Sequence, residues 1–160
     1  MKYIFSILLY LPILVVSAQT KKDLKEAGVK SRIEMTSKLE KKSMITYQES
    51  AEKYDDNGNK VEVIEYNSKG DVKSYMQFEY NDKGKVMKEM KMDASSKKPL
   101  RTVEFFYEDD KLTKEILYNK KNEIAEITVY TYDGKLKTEK KTTNNNGKVI
   151  ETKTYTYEKK

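Results

Sequence analysis

The stretch YTYDGKLKTEKKTTNNNGKVIETKTYTYE, residues 130–158, decides the fold of this chain. It contains Asp133-Gly134 and Asn146-Gly147, which are favoured pairs for tight hairpin turns because both central residues can adopt positive φ. After the second turn, Tyr155 and Tyr157 alternate with threonines. A period of two in segments rich in β-branched and aromatic residues is typical of half-buried antiparallel strands. The stretch therefore predicts strand, turn and strand.

The same pattern recurs along the chain, which indicates a repeat protein. Five tyrosines spaced 26, 27, 25 and 25 residues apart mark the period: Tyr54, Tyr80, Tyr107, Tyr132 and Tyr157. Each of the first four opens a turn, and a second turn lies midway to the next, so a repeat consists of strand, turn, strand and turn. We interpret these tyrosines as structural, together with further turn residues that share the spacing: Gly58, Tyr66, Gly70, Gly84, Tyr118, Gly134 and Gly147.

The turns differ in their chemistry. Asn57-Gly58 predicts another tight hairpin, whereas Gly70 and Gly84, each after a lysine, fit a longer loop with one left-handed residue. Asn122 stands where other turns have glycine, and asparagine is the next most tolerant residue there. Asp109-Asp110 is predicted to form a hairpin turn.

Residues 21–42 are ambiguous between helix and strand. Their lysine, glutamate, leucine and alanine content suits an amphipathic helix. Yet Val29, Ile33 and Met35 alternate with charged residues, which favours a strand. We interpret this part as a degenerate first repeat, with strands near 29–38 and 44–53.

The fold is therefore expected to be all-β, a twisted antiparallel meander of about eight to ten strands. A single repeat domain would span 19–160, with a degenerate repeat over 19–53 and further repeats over 54–79, 80–106, 107–131 and 132–157. The sheet would be open and curved or partly closed into a barrel, because flat sheets of this size are unusual. Curling would cover apolar residues expected on its faces: Val72, Met76, Phe78, Val86, Met90, Met92, Ile116 and Tyr118.

Residues 1–18, MKYIFSILLYLPILVVSA, have the pattern of a secretory signal peptide. Lys2 precedes an apolar run, and Ser17 and Ala18 are small residues before a polar stretch, which predicts cleavage between Ala18 and Gln19. The alternative, a membrane anchor, is disfavoured because the run is short for a membrane span. No cysteine follows it, so a lipidated-cysteine anchor is not expected. We expect an exported protein, periplasmic or extracellular, without a transmembrane segment in the mature chain.

The composition removes several kinds of chemistry. The chain has no histidine, cysteine or tryptophan, which excludes Ser-His and Cys-His catalysis, disulfides and Cys/His zinc sites. The acidic segment Asp55-Asp56-Asn57-Gly58-Asn59 lacks the later glutamate of a calcium loop and is interpreted as a turn. The 26 acidic residues fall mostly on polar strand positions among lysines, where nothing indicates a pocket that would shift a pKa. We expect no catalytic residues, no cofactor and no metal site.

Residues 130–158 resemble the YD repeat, or RHS repeat, of bacterial secreted proteins. That pattern consists of a Tyr-Asp turn, a glycine, an apolar residue, a second glycine turn and a closing Tyr-x-Tyr. It is matched by Tyr132, Asp133, Gly134, Leu136, Gly147, Tyr155 and Tyr157. Large members of the family wind such repeats into a shell around a toxin domain, which 160 residues do not accommodate. The resemblance is rather to short exported YD-repeat proteins of Bacteroidetes-type bacteria.

Candidate binding residues lie outside the repeat phase or in basic pairs. Tyr75 and Tyr130 are expected to be exposed aromatic contacts, and two lysine pairs are expected to meet acidic glycans: Lys97 with Lys98, and Lys140 with Lys141. Lysine and glutamate alternate along the strands, so we expect no nucleic-acid partner despite the net charge of +6. The sequence favours a non-catalytic structural or protein-interaction module of the cell envelope. The alternative is a glycan-binding surface protein that uses exposed Tyr and Lys.

Overall fold

The computed structural model describes residues 20–40 and 42–158. The expected signal peptide and its cleavage site between Ala18 and Gln19 lie outside the described residues. Within them, the chain forms one short helix followed by ten strands: α1 (Lys21–Glu26), β1 (Ser31–Glu40), β2 (Ser43–Tyr54), β3 (Lys60–Tyr66), β4 (Val72–Tyr80), β5 (Val86–Met92), β6 (Pro99–Glu108), β7 (Lys111–Tyr118), β8 (Ile124–Asp133), β9 (Leu136–Asn144) and β10 (Val149–Thr154).

The strands form one antiparallel meander in which each pairs with its sequence neighbours. In the described part of the chain, β1 and β10 each have a neighbour on one side only, so the sheet is open. Strand contacts there join only consecutive strands, so the sheet is a single layer. The expected all-β meander is confirmed, as an open sheet rather than one partly closed into a barrel.

The ambiguous N-terminal segment contains both predicted structures in succession. Thr20 begins α1 with reciprocal bonds to Asp23: the Asp23 N–H donates to Thr20 Oγ1, and the Asp23 carboxylate accepts from the Thr20 N–H at 2.8 Å. Leu24 is buried, and Gly28 takes a positive φ just after the helix. The strand interpretation is confirmed from Ser31 onward, and the helix is confined to six residues before it.

Most turns are closed by an aspartate or asparagine side chain. The side-chain oxygen of the first loop residue accepts bonds from the backbone N–H groups two and four residues later, as Asn81 does from Lys83 and Lys85. Five loops share this arrangement, at Asp55, Asn67, Asn81, Asn119 and Asn144.

Only the fourth residue of these loops takes a positive φ, at Gly58, Gly70, Gly84, Asn122 and Gly147. The expectation of two-residue tight turns at Asn57-Gly58 and Asn146-Gly147 is therefore wrong, since the side-chain bonds close a longer loop. Asn122 replaces glycine as predicted, and Asp109-Asp110 forms a two-residue turn with both φ values positive.

Every hairpin from β2/β3 to β9/β10 carries a bulge next to its turn. In β2/β3, for example, Tyr54 pairs with Lys60 and Lys53 with Glu62, which leaves Val61 without an opposite residue. The unpaired residues recur on each strand: Val61, Lys73, Met87, Leu100, Thr113, Ala125, Thr138 and Ile150. Bulges increase the right-handed twist of a strand pair, so a regular series of them coils the sheet.

The expected apolar residues do not share one face. Cross-strand partners lie on the same side, which places Val63, Met76 and Val103 on what we call the front face. Met90 and Ile116 lie on the other, the back face, because their partners Gln77 and Glu104 alternate with front-face residues. In the described residues no side chain is completely enclosed. Contacts between cross-strand side chains on both faces thus provide much of the stabilisation that a central core provides in other folds.

Candidate functional site

A groove of about 480 Å³ runs along the front face over the first strands of the sheet. Four carboxylates and two tyrosines characterise it: Glu34, Glu49, Glu52, Glu65, Tyr47 and Tyr66. Lys38 and Lys73 also line it, and the Lys38 Nζ lies 5.4 Å from the centre of the Tyr47 ring. The groove therefore presents acidic, basic and aromatic groups within one depression.

Glu52 is the buried charge of this groove, with 5% of its surface exposed. Its carboxylate contacts Lys60 Nζ at 2.6 Å and Arg32 Nη2 at 2.9 Å, and it accepts a hydrogen bond from the Tyr54 hydroxyl. Burial acts to raise the pKa of Glu52, but the bonds from Lys60 and Tyr54 and the two cations outweigh it, and the pKa is lowered. Glu52 is thus held as a charged, paired carboxylate.

Burial also acts on Tyr54, the phenol that donates to Glu52. Together with that hydrogen bond it raises the pKa of Tyr54 to about 12. Tyr54 therefore stays a neutral donor to the charged carboxylate up to about pH 12, the pKa of its own hydroxyl. The sequence could not single out this cluster, since Glu52 looks like any other polar strand position.

The two tyrosines expected as exposed contacts are not exposed. Tyr75 is buried, because its hydroxyl donates to Glu62 at 2.8 Å on the neighbouring strand and the Lys97 Nζ lies 4.7 Å from its ring centre. Tyr130 is half-buried, donates to Glu115 at 2.8 Å and lies 4.3 Å from the Lys137 Nζ. The expectation of exposure is wrong for both, because side chains of a neighbouring strand and, for Tyr75, of the turn between β5 and β6 contact them.

The two lysine pairs have different surroundings. Lys97 and Lys98 are exposed in the turn between β5 and β6. Lys140 and Lys141 point to opposite faces of β9, since their partners are Tyr130 and Val129. The Lys140 Nζ lies 3.6 Å from Glu151 Oε2, and the Lys141 Nζ lies 3.3 Å from Glu139 Oε1. Each lysine is thus paired with a carboxylate, and the two do not form one basic cluster.

The repeat tyrosines form a series of bridges along one end of the sheet. The hydroxyl of each donates to a backbone carbonyl at the start of the preceding strand: Tyr80 to Lys60, Tyr107 to Val86, Tyr132 to Leu112 and Tyr157 to Lys137. Each bridge connects two successive turns at this end of the sheet. Tyr54, the first of the series, donates to Glu52 instead.

Replacing Tyr107 with phenylalanine is expected to lower the free energy of unfolding by about 1 kcal/mol, because the carbonyl of Val86 loses its 3.0 Å bond while the ring remains. Urea unfolding followed by circular dichroism measures this change. Tyr155→Phe is the matched control, since the Tyr155 hydroxyl has no hydrogen bond to the described residues. Equal effects of the two substitutions would contradict a structural role of the bridge.

A second groove of about 340 Å³ lies on the front face over β6 to β10. Polar and charged residues line much of it, among them Arg101, Glu115, Glu126, Lys140 and Glu151. Val103 and Leu117 form its apolar part. Unlike the first groove, it is not lined by tyrosine.

The acidic segment 55–59 is a turn in the structure. Asp55 Oδ1 accepts from the N–H groups of Asn57 and Asn59, and Oδ2 accepts from Asn59 Nδ2 at 2.7 Å. Within residues 20–40 and 42–158, no three acidic side chains converge in a way that would hold a metal ion. Over the same residues, no helix has the length and apolar character to cross a membrane.

The two edge strands differ in length and regularity. β1 has ten residues, and the extra residue in its pairing with β2 is Glu49 of β2, so β1 itself is regular. β10 has six residues and contains the bulged Ile150.

No family model matches the chain, and no curated protein matches it.

Proposed function

We propose that this protein is a non-catalytic, exported β-repeat module of the YD-repeat kind that serves as a structural or protein-interaction element of the cell envelope. The observation that carries the proposal is the open single-layer sheet, in which β1 and β10 have no partner on one side among residues 20–40 and 42–158. Free strand edges are sites at which another chain can add a strand.

The chemistry of the two faces supports the same proposal. Lysines and glutamates pair across strands, as Lys53 does with Glu62 at 2.8 Å, so both faces are mixed in charge. Among residues 20–40 and 42–158, eight of the eleven tyrosine hydroxyls donate to acceptors within the sheet, four to backbone carbonyls and four to carboxylates. The surface left for partners therefore consists of backbone edge, mixed charge and exposed apolar side chains such as Leu39 and Met44, which suits protein contacts.

The proposal is tested by expressing the complete chain in a bacterium with a cell envelope and fractionating the cells. Intact mass should show loss of residues 1–18, and crosslinking followed by affinity capture should recover a defined envelope protein or the chain itself. Recovery of the protein from the cytoplasm with residues 1–18 attached would contradict export. Recovery of bulk polysaccharide alone would contradict the protein-interaction role.

A glycan-binding role is the second candidate, and the first front-face groove favours it. Tyr47 and Tyr66 offer aromatic surfaces there, while Glu34 and Glu65 offer hydrogen-bond acceptors to sugar hydroxyls. Calorimetric titration with envelope polysaccharide fragments tests this role. Binding that Tyr47→Ala removes and Tyr155→Ala leaves unchanged would support glycan recognition over protein pairing.

A further inference from the structure

The edge strand β1 has few of the features that normally prevent strands from pairing with other chains. Natural edges are kept short, bulged, or occupied by proline and lysine. β10 meets this description with six residues and a bulge, whereas β1 has ten residues and no bulge; each strand has one lysine, Lys153 or Lys38, and no proline. Within the part of the chain that the structure describes, the β10 edge is therefore protected and the β1 edge is open to pairing.

The back face of β1 is also strongly apolar and exposed. Ile33, Met35 and Leu39 are 63%, 58% and 69% exposed, and their neighbour Met44 on β2 is 65% exposed. Helix α1 does not cover them, because it lies at the end of the sheet against the turn that contains Gly58. Scattered exposed apolar residues are ordinary, but four on one outer hairpin form a patch that a partner would bury.

We propose that β1 pairs with β1 of a second copy of this chain, antiparallel and across a two-fold axis at Thr36. This inference rests on the proposed protein-interaction function and names its partner as the same chain. The resulting contact is isologous, so it closes as a dimer and joins the two sheets into one.

The sequence of β1 is complementary to itself in this register. A two-fold at Thr36 sets Ile33 opposite Leu39 of the second copy on the back face. It sets Glu34 opposite Lys38 of the second copy on the front face, and symmetry makes each pair occur twice. Opposite charges and apolar groups that face each other across strands stabilise the pairing.

A neighbouring register that keeps every side chain on the same face of the sheet is unfavourable. A two-fold at Met35 would set Arg32 opposite Lys38 of the second copy, again twice, and like charges directly opposite each other are destabilising. Charge therefore favours the register at Thr36 over the register at Met35. The Glu34 carboxylate, which accepts a bond from Ser50 Oγ at 3.2 Å, is exposed and can accept a second one from the lysine.

Sedimentation velocity of the purified exported chain over a range of concentrations tests the dimer. We expect a monomer–dimer equilibrium that Glu34→Lys or Lys38→Glu alone weakens about tenfold or more, because each sets two like-charged pairs opposite each other. A mixture of these two variants should restore dimerisation, since the mixed dimer again has two opposite-charged pairs. Lys153→Glu on β10 is the matched control and should leave the equilibrium unchanged.

Three outcomes would overturn the inference: a monomer at every concentration, a dimer that neither single substitution weakens, or a dimer weakened by Lys153→Glu instead. Circular dichroism of each variant separates loss of pairing from loss of folding, and the mixing experiment depends only on pairing. A strict monomer that still captures an envelope protein would refute the dimer and leave the proposed function standing. A dimer that is recovered only from the cytoplasm would refute the proposed function and leave the dimer standing.

Discussion

Replacing Glu52 with alanine is expected to lower the free energy of unfolding by about 3 kcal/mol. The carboxylate is buried and neutralises Arg32 and Lys60, and it accepts the hydroxyl bond of Tyr54. Its removal leaves two cations close together and a buried phenol without its acceptor. Chemical unfolding in urea at neutral pH measures the loss.

The matched control is Glu65→Ala, an exposed carboxylate of the same groove, for which a change below about 0.5 kcal/mol is expected. Acid unfolding of Glu52→Gln adds an independent measurement. The pKa of Glu52 is lowered in the fold, so its contribution is present above the ordinary value of 4.5 and is lost as the pH falls through the folded pKa. Glu52→Gln should therefore lose less stability than the unaltered chain below about pH 4.5. Equal acid slopes would contradict the proposed charge network.

Gly58→Ala is expected to destabilise the protein by about 3 kcal/mol, through two separable effects. Gly58 has a φ of +74°, which costs a residue with a Cβ about 1 to 2 kcal/mol. A Cβ there would also lie 2.5 Å from the backbone oxygen of Lys21, so α1 would have to move away from the turn. The movement would expose Leu24, the residue of α1 whose side chain is buried.

Gly70→Ala separates these two effects. Gly70 has a φ of +86° in an equivalent loop, but a Cβ there meets nothing within 4 Å, so only the backbone strain of about 1 to 2 kcal/mol is expected. Urea unfolding gives both values, and hydrogen exchange at α1 should rise in Gly58→Ala alone. Equal destabilisation by the two substitutions would show that α1 contributes little to stability.

Much of the fold could be predicted from the sequence, because its information is local and periodic. The tyrosine spacing, the alternation along the strands and the glycines after lysine together predicted an all-β meander with a turn about every 13 residues. The strand assignment of the first repeat also followed from alternation. The turn types at Asn57 and Asn146 were predicted wrongly as two-residue turns. An aspartate or asparagine three residues before the glycine closes a longer loop through its own side chain.

The candidate site was much less predictable. Tyr75 and Tyr130 differ from the other tyrosines only in their position relative to the repeat. That position does not indicate which neighbouring side chains contact the ring. The cluster around Glu52 joins β1, β2 and the start of β3, and the bulge at Val61 decides which lysine reaches the carboxylate. Such positions depend on register, which one displaced residue changes for the whole strand.

The sequence by itself therefore determined the repeat, the strand order and the position of every tyrosine at a turn, because hairpin formation between neighbours needs only local signals. The tertiary structure decided which side chains are buried, which face each apolar residue occupies and which edge of the sheet is exposed. The physical reason is that burial in a single-layer sheet depends on cross-strand neighbours, and the bulges beside the turns set those neighbours.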